Sequence, residues 1–168
     1  MCGLLTGCTY TEADYYLEMA KTQYGQTITR LNGCLANTRT ILPRSQIATV
    51  YAVDEDADQA KFSNYAKLTP SQAEALIYFE TGAADCYEKF RVETGRINPA
   101  FDNVIVRYWA KRTDIVQQAA AGQTTWAVLN QTVAQLNAQL KVDMDITARS
   151  IRRVTVRVPE QRGPHIPY

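Results

Sequence analysis

The residues of this 168-residue chain best able to do chemistry are its four cysteines, Cys2, Cys8, Cys34 and Cys86. A thiol can serve as nucleophile, metal ligand, disulfide partner or lipid acceptor. Metal binding has little support: there is no Cys-x-x-Cys pair, and the single histidine, His165, rules out a His-rich zinc site or a di-iron bundle with two Glu-x-x-His pairs. Nucleophilic catalysis needs a base within hydrogen-bond reach of the serine or cysteine. His165 lies among Pro159, Gly163, Pro164 and Pro167, where regular structure breaks, and is poorly placed for that role. Glu12, Glu18, Glu74, Glu80 and Glu88 could supply paired carboxylates for glycoside cleavage, but their spacing puts them mostly on the polar faces of amphipathic helices. No glycine-rich phosphate loop follows a strand. The sequence therefore assigns no catalytic residue, metal ligand, cofactor or small-molecule substrate, and the expectation is a protein that is not an enzyme.

The stretch Leu5-Thr6-Gly7-Cys8 has small residues next to the cysteine and an apolar residue one step further back. It resembles the lipobox of bacterial lipoproteins. In that family the cysteine thiol receives a diacylglyceryl group, a peptidase cuts just before it, and the new amino terminus is usually acylated. The resemblance covers these four residues alone. It implies a lipid anchor on Cys8, residues 1–8 as the remnant of a signal peptide, and a place in the bacterial envelope. A secretory signal carries a basic segment and an apolar run of about 7–15 residues. The residues before Cys8 hold neither, so Met1 is expected to be an internal methionine of a longer hydrophobic segment. Thr9, rather than an aspartate, after the cysteine implies sorting to the outer membrane, facing the periplasm. More than one acyl chain would make such anchoring stable.

Loss of Cys2 on processing would leave Cys34 and Cys86 as an even pair in a compartment where disulfides persist. The alternative is two buried free thiols in a cytosolic core.

The elements that position these groups read as helices. Leu17, Ala20, Tyr24, Ile28, Leu31 and Leu35 recur at helical spacing, with Thr9 or Thr11 as cap and Pro43 as terminator. Gly25 and Gly33 within this run suggest a bend or a close helix contact. Residues 44–68 read as a crossover with a short helix over Asp56 to Leu68. Its acidic cluster, Asp54, Glu55, Asp56 and Asp58, fits a helix N-terminus better than a calcium loop, lacking the glycine and terminal glutamate of an EF-hand. Thr69, Pro70 and Gln72 carry the capping-box signature of a second long helix, with Leu76, Phe79, Ala83, Cys86 and Phe90 on one face and Gly95 as its stop. Asn98-Pro99 opens a third, with Phe101, Val104, Ile105, Tyr108, Ile115, Val116 and Ala119 facing inward and Gly122 as its stop. Lys111 or Arg112 falls on that seam, expected as an aliphatic stem with its charge at the rim. The fourth follows Thr124 or Thr125, with Trp126, Leu129, Val133, Leu136 and Leu140 in heptad rhythm, continuing through Met144, Ile151 and Val154. Asn130, Gln131, Gln135, Asn137 and Gln139 are expected on its polar faces. Cys34 and Cys86 both sit on inward faces, so a bridge between neighbouring helices is geometrically reasonable.

The expected fold is all-α: an antiparallel bundle of four main helices over residues 9–154, with a crossover carrying a short extra helix. Residues 155–168 form an extended, basic, proline-containing tail. From Ile146 to Tyr168 there are five arginines and one glutamate, which makes Arg152, Arg153 and Arg157 candidates for binding a protein partner. Overall charge is balanced, 18 Lys+Arg against 17 Asp+Glu, and so unlike a nucleic-acid binder. Of ten tyrosines, Tyr10, Tyr15, Tyr16 and Tyr24 crowd the first helix, where they would lie near headgroups if Cys8 carries lipid, or otherwise half-buried in the bundle. The functional expectation is a non-catalytic envelope lipoprotein acting as an accessory or assembly subunit. The alternative is a cytosolic or virion-associated interaction module with reduced cysteines.

Overall fold

A computed structural model describes residues 12–52 and 58–154. Five α-helices carry the fold: α1 (Glu12–Arg39), α2 (Gln59–Phe62), α3 (Pro70–Ile97), α4 (Ala100–Ala120) and α5 (Trp126–Val154), with one 3-10 turn at Leu42–Arg44. No strand occurs among the described residues. The architecture is an all-α antiparallel bundle of four main helices with a short helix in the crossover. α1 packs on α3, α3 on α4 and α4 on α5, while α1 and α5 touch only briefly. Arg30 pairs with Glu93 and Cys34 bonds to Cys86, so α1 and α3 run in opposite directions.

Local chemistry fixes the helix ends. Thr69 Oγ1 accepts from the Gln72 backbone N–H at 3.3 Å, and Gln72 Oε1 accepts from the Thr69 N–H at 3.1 Å, closing the capping box at the start of α3. Gly95 does not stop α3, which continues to Ile97. One glycine costs a helix only about 1 kcal/mol, whereas Pro99 biases Asn98 out of the helical region. Gly122, at φ +69°, ends α4 in the left-handed conformation: its N–H reaches the Ala119 carbonyl at 3.0 Å and the Gln123 N–H reaches that of Gln118 at 2.9 Å.

The crossover helix is shorter than its sequence suggests. Asp58 caps it by accepting from the Ala60 N–H at 3.0 Å. Beyond Phe62 the chain serves α5 instead: the Asn64 and Ala66 carbonyls accept from the Ala127 and Trp126 N–H groups at 2.7 and 3.1 Å, satisfying open donors at that helix's N-terminus. Asp54, Glu55 and Asp56 lie outside the described residues.

The core falls into two apolar clusters. One gathers Leu76 and Phe79 of α3, Ile115, Val116 and Ala119 of α4, and Trp126, Leu129 and Val133 of α5, closed by Ile47 and Tyr51 of the crossover. The other holds Phe90, Phe101, Val104, Ile105 and Met144, against which α1 lays Leu17, Ala20, Tyr24, Ile28 and Leu31. The α1 stripe is only half-buried along its length. Gly25 and Gly33 have nothing near them; the close contact is at Gly82 on α3, where an added Cβ would come within 3.0 Å of Thr38 Cγ2 on α1.

Candidate functional site

Between the two apolar clusters lies a polar layer. Arg112 of α4 and Glu80 of α3 leave only 7% and 9% of their side chains exposed. Arg112 Nε donates to Glu80 Oε2 at 2.7 Å and Nη2 donates to Glu80 Oε1 at 2.9 Å. Nη2 also donates to the Tyr51 hydroxyl at 3.1 Å, and Nη1 donates to the Tyr108 hydroxyl at 2.6 Å and to Asn137 Oδ1 at 3.0 Å. All five guanidinium hydrogens are thereby used. Tyr51 in turn donates to Glu80 Oε1 at 2.6 Å, and Tyr108 to Asn137 Oδ1 at 2.7 Å. The guanidinium carbon lies 5.8 Å from the Tyr108 ring centre and 5.6 Å from that of Trp109. Burial drives the Tyr51 phenol well above its ordinary pKa, the Arg112 charge opposing and Glu80 reinforcing. Burial likewise raises Tyr108, again against Arg112.

Three sequence expectations are corrected by this layer. The Arg112 charge is in the core rather than at the rim, Glu80 is not on a polar face, and Asn137 is half-buried and bonded to Arg112 and Tyr108. Glu80 stands four residues after Leu76 and three before Ala83, which is itself a seam position. That spacing was the available signal; its charge argued the other way.

A second buried amide joins the crossover to α5. Asn130, which the sequence placed on a polar face, is fully buried. Its Oδ1 accepts from the Ala52 N–H at 3.0 Å, and its Nδ2 donates to the Val50 and Lys61 carbonyls, both at 2.8 Å. Lys61 Nζ donates to the carbonyls of Ala48 at 3.0 Å and Tyr51 at 2.9 Å, holding Tyr51 at the polar layer.

Cys34 and Cys86 form a disulfide, with Cα atoms 5.7 Å apart across α1 and α3. Beside it, Arg30 Nε and Nη2 both donate to Glu93 Oε2, at 2.9 and 2.6 Å, and this bond holds the Glu93 carboxyl below its ordinary pKa.

Between α1 and α5 a groove of about 1050 Å³ opens, lined also by Tyr87 and Phe90 of α3. A smaller hollow of about 510 Å³ lies between α3 and α4 beside Trp109 and Arg91. Arg91 is bonded there to both Glu88 and Asp102.

Cys8 lies outside the described residues, as do Arg157, His165, Tyr10 and the tail from 155 onward. Arg152 and Arg153 fall in the last turn of α5. Tyr15 is exposed, and Tyr24 is half-buried and stacked on Phe101 with ring centres 5.1 Å apart. Among the described residues, no group of three or more His, Cys, Asp or Glu side chains is gathered as for a metal ion, and no helix is long and apolar enough to cross a membrane. No family model, curated protein or solved structure matches this chain.

Proposed function

We propose that this chain is a non-catalytic helical module of a bacterial envelope, tethered to the outer membrane through lipid on Cys8 and facing the periplasm, where it serves as an accessory or assembly subunit. The observation that carries the reading is the disulfide between Cys34 and Cys86, a bond of oxidising compartments that is rare where glutathione keeps thiols reduced. The polar layer supports a structural use of its charged groups. Glu80, Tyr51 and Arg112 are bonded to one another, and every guanidinium hydrogen is already committed. The sequence's basic run through Arg152, Arg153 and Arg157 is the segment we assign to binding a protein partner.

Intact mass, before and after reduction, on protein produced from its complete gene in a bacterial envelope tests the reading. The expected product begins at Cys8, carries acyl mass, and is two hydrogens lighter before reduction. Unprocessed protein with four titratable thiols would overturn it and favour a cytosolic or virion-associated module.

A further inference from the structure

α1 is the main helix that the rest of the bundle needs least. Of its described side chains only Thr27 is buried, and the stripe from Leu17 to Leu31 covers the cluster of Phe90 and Phe101 at half depth. The cluster around Trp126 takes no described side chain of α1. Just past the helix the chain is anchored again: Ile41 and Leu42 pack on that cluster, and Ile47 and Tyr51 belong to it. An α1 that came away would leave one apolar cluster whole and swing from a fixed point near Thr40.

The sequence of α1 keeps the helix weak. Gly25 and Gly33 have nothing within 4 Å of where a Cβ would stand, so packing gives no reason for glycine at either position. Each glycine disfavours a helix about fivefold relative to alanine. Thr22, Thr27, Thr29 and Thr38 turn their hydroxyls back on the carbonyls of Glu18, Gln23, Gly25 and Cys34, a bonding that loosens a helix slightly. Against this stand the disulfide to α3 and the Arg30–Glu93 ion pair, whose side chains are 57% and 35% exposed and whose contribution is correspondingly small.

The two sulfurs are not equally placed. Cys34 is half-buried, whereas Cys86 is only 2% exposed. Thr38 Oγ1 lies 3.6 Å from Cys86 Sγ, and its hydrogen can turn there from the Cys34 carbonyl.

We propose that the Cys34–Cys86 bond is a redox latch on α1, opened by a dithiol reductant that attacks the Cys34 sulfur. The reductant's thiolate bonds to Cys34 Sγ, the S–S bond breaks, and its electron pair leaves on Cys86 Sγ, where the Thr38 hydroxyl meets the charge until water supplies a proton. The reductant's second thiolate then attacks its own sulfur in the mixed disulfide and releases Cys34, which is protonated in turn. One dithiol is oxidised and one disulfide reduced. α1 then melts away from Phe90, Phe101 and Met144 while α3, α4 and α5 stay folded, and reoxidation returns it. The latch requires the disulfide alone, so it holds with or without lipid on Cys8.

The test takes the oxidised full-length chain with its remaining thiols alkylated and follows hydrogen exchange by mass spectrometry, with and without dithiothreitol. Exchange in α1 should rise at least about tenfold on reduction and return on reoxidation, with the α4–α5 pair unchanged within about twofold. Gly25→Ala combined with Gly33→Ala should slow α1 exchange in the reduced chain about twentyfold. Glutathione, a monothiol trapped by acid at the mixed disulfide, should be found on Cys34. An equal rise in all four main helices, no rise in α1, no slowing in the alanine variant, or glutathione on Cys86 would each overturn the proposal.

Discussion

Arg112 on α4 and Glu80 on α3 meet fork to fork, with donor–acceptor distances of 2.7 and 2.9 Å, midway along the bundle and away from solvent. Such a pair adds little net stability relative to a well-packed apolar pair, because both ions lose their hydration. Its removal by halves is another matter. Arg112→Met leaves the Glu80 carboxylate buried without its cation, and Glu80→Leu leaves the guanidinium without its anion. Each single variant is expected to lose about 3–5 kcal/mol. The double variant should recover a large part of that loss, so urea unfolding of all four proteins in a double-mutant cycle would show strong coupling. Additive losses would show that the pair is not the unit that matters.

The same layer makes an alkaline prediction. Burial raises the folded-state pKa values of Tyr51 and Tyr108 above the unfolded value near 10. The unfolded chain then releases protons that the folded chain retains. Stability from these groups is therefore complete below about pH 10 and lost as pH climbs towards the folded pKa values, at up to about 1.4 kcal/mol per pH unit for each tyrosine. Denaturant midpoints measured between pH 9 and 11, with free thiols blocked, should fall steeply, and Tyr108→Phe should flatten the slope. A flat profile in the unmodified protein would contradict the buried-phenol account.

The helices were legible in the sequence because their signals are local. Thr69, Pro70 and Gln72 announce a helix start through hydrogen bonds spanning three residues, and Gly122 announces a stop through its own φ. The inward positions of Cys34 and Cys86 also followed from periodicity, which requires only that each helix know its own face. The polar layer was hidden because periodicity can place Glu80 and Arg112 on a seam but cannot say that they arrive at the same height. That depends on how α3 and α4 are staggered, a property of the packed pair. Asn130 was hidden for a similar reason: its partners, Val50, Ala52 and Lys61, are distant in sequence and belong to a crossover with no dominant period. The groove was hidden because the α1 stripe reads as core whether or not a neighbour covers it.

The disulfide spans 52 residues of sequence and ties α1 to the rest of the bundle. In the loop-entropy model a closure of this length restricts the unfolded chain by about 4 kcal/mol. Of α1's described side chains only Thr27 is buried, so this helix has less packing than α3, α4 or α5 to hold it when the bond is cut. Reduction, or Cys34→Ser with Cys86→Ser, is expected to cost about 2–4 kcal/mol. The increase in amide hydrogen exchange should concentrate in α1, with the α4–α5 pair still protected. A uniform increase across all four main helices would mean that α1 unfolds only with the whole domain.

Asn130 offers the sharpest test of the crossover, because one side chain serves three backbone groups there. Asn130→Leu would leave the Ala52 N–H and the carbonyls of Val50 and Lys61 without that partner in a buried place. Unmet buried groups cost about 1–3 kcal/mol each, partly relieved as the segment shifts and admits water, so a loss of about 2–4 kcal/mol is expected. Asn130→Asp separates acceptor from donor: it retains an oxygen for Ala52 but turns the carboxylate against two carbonyls, and should be at least as harmful as the leucine at neutral pH. Because Lys61 and Tyr51 are held by the same segment, both variants should also loosen the Tyr51 hydroxyl from Glu80. Tyrosine absorbance followed from pH 9 to 11 would then show an earlier-titrating phenol in whichever variant stays folded. Unchanged stability together with unchanged titration would mean that the crossover is held by the apolar anchors Ile47 and Tyr51 alone.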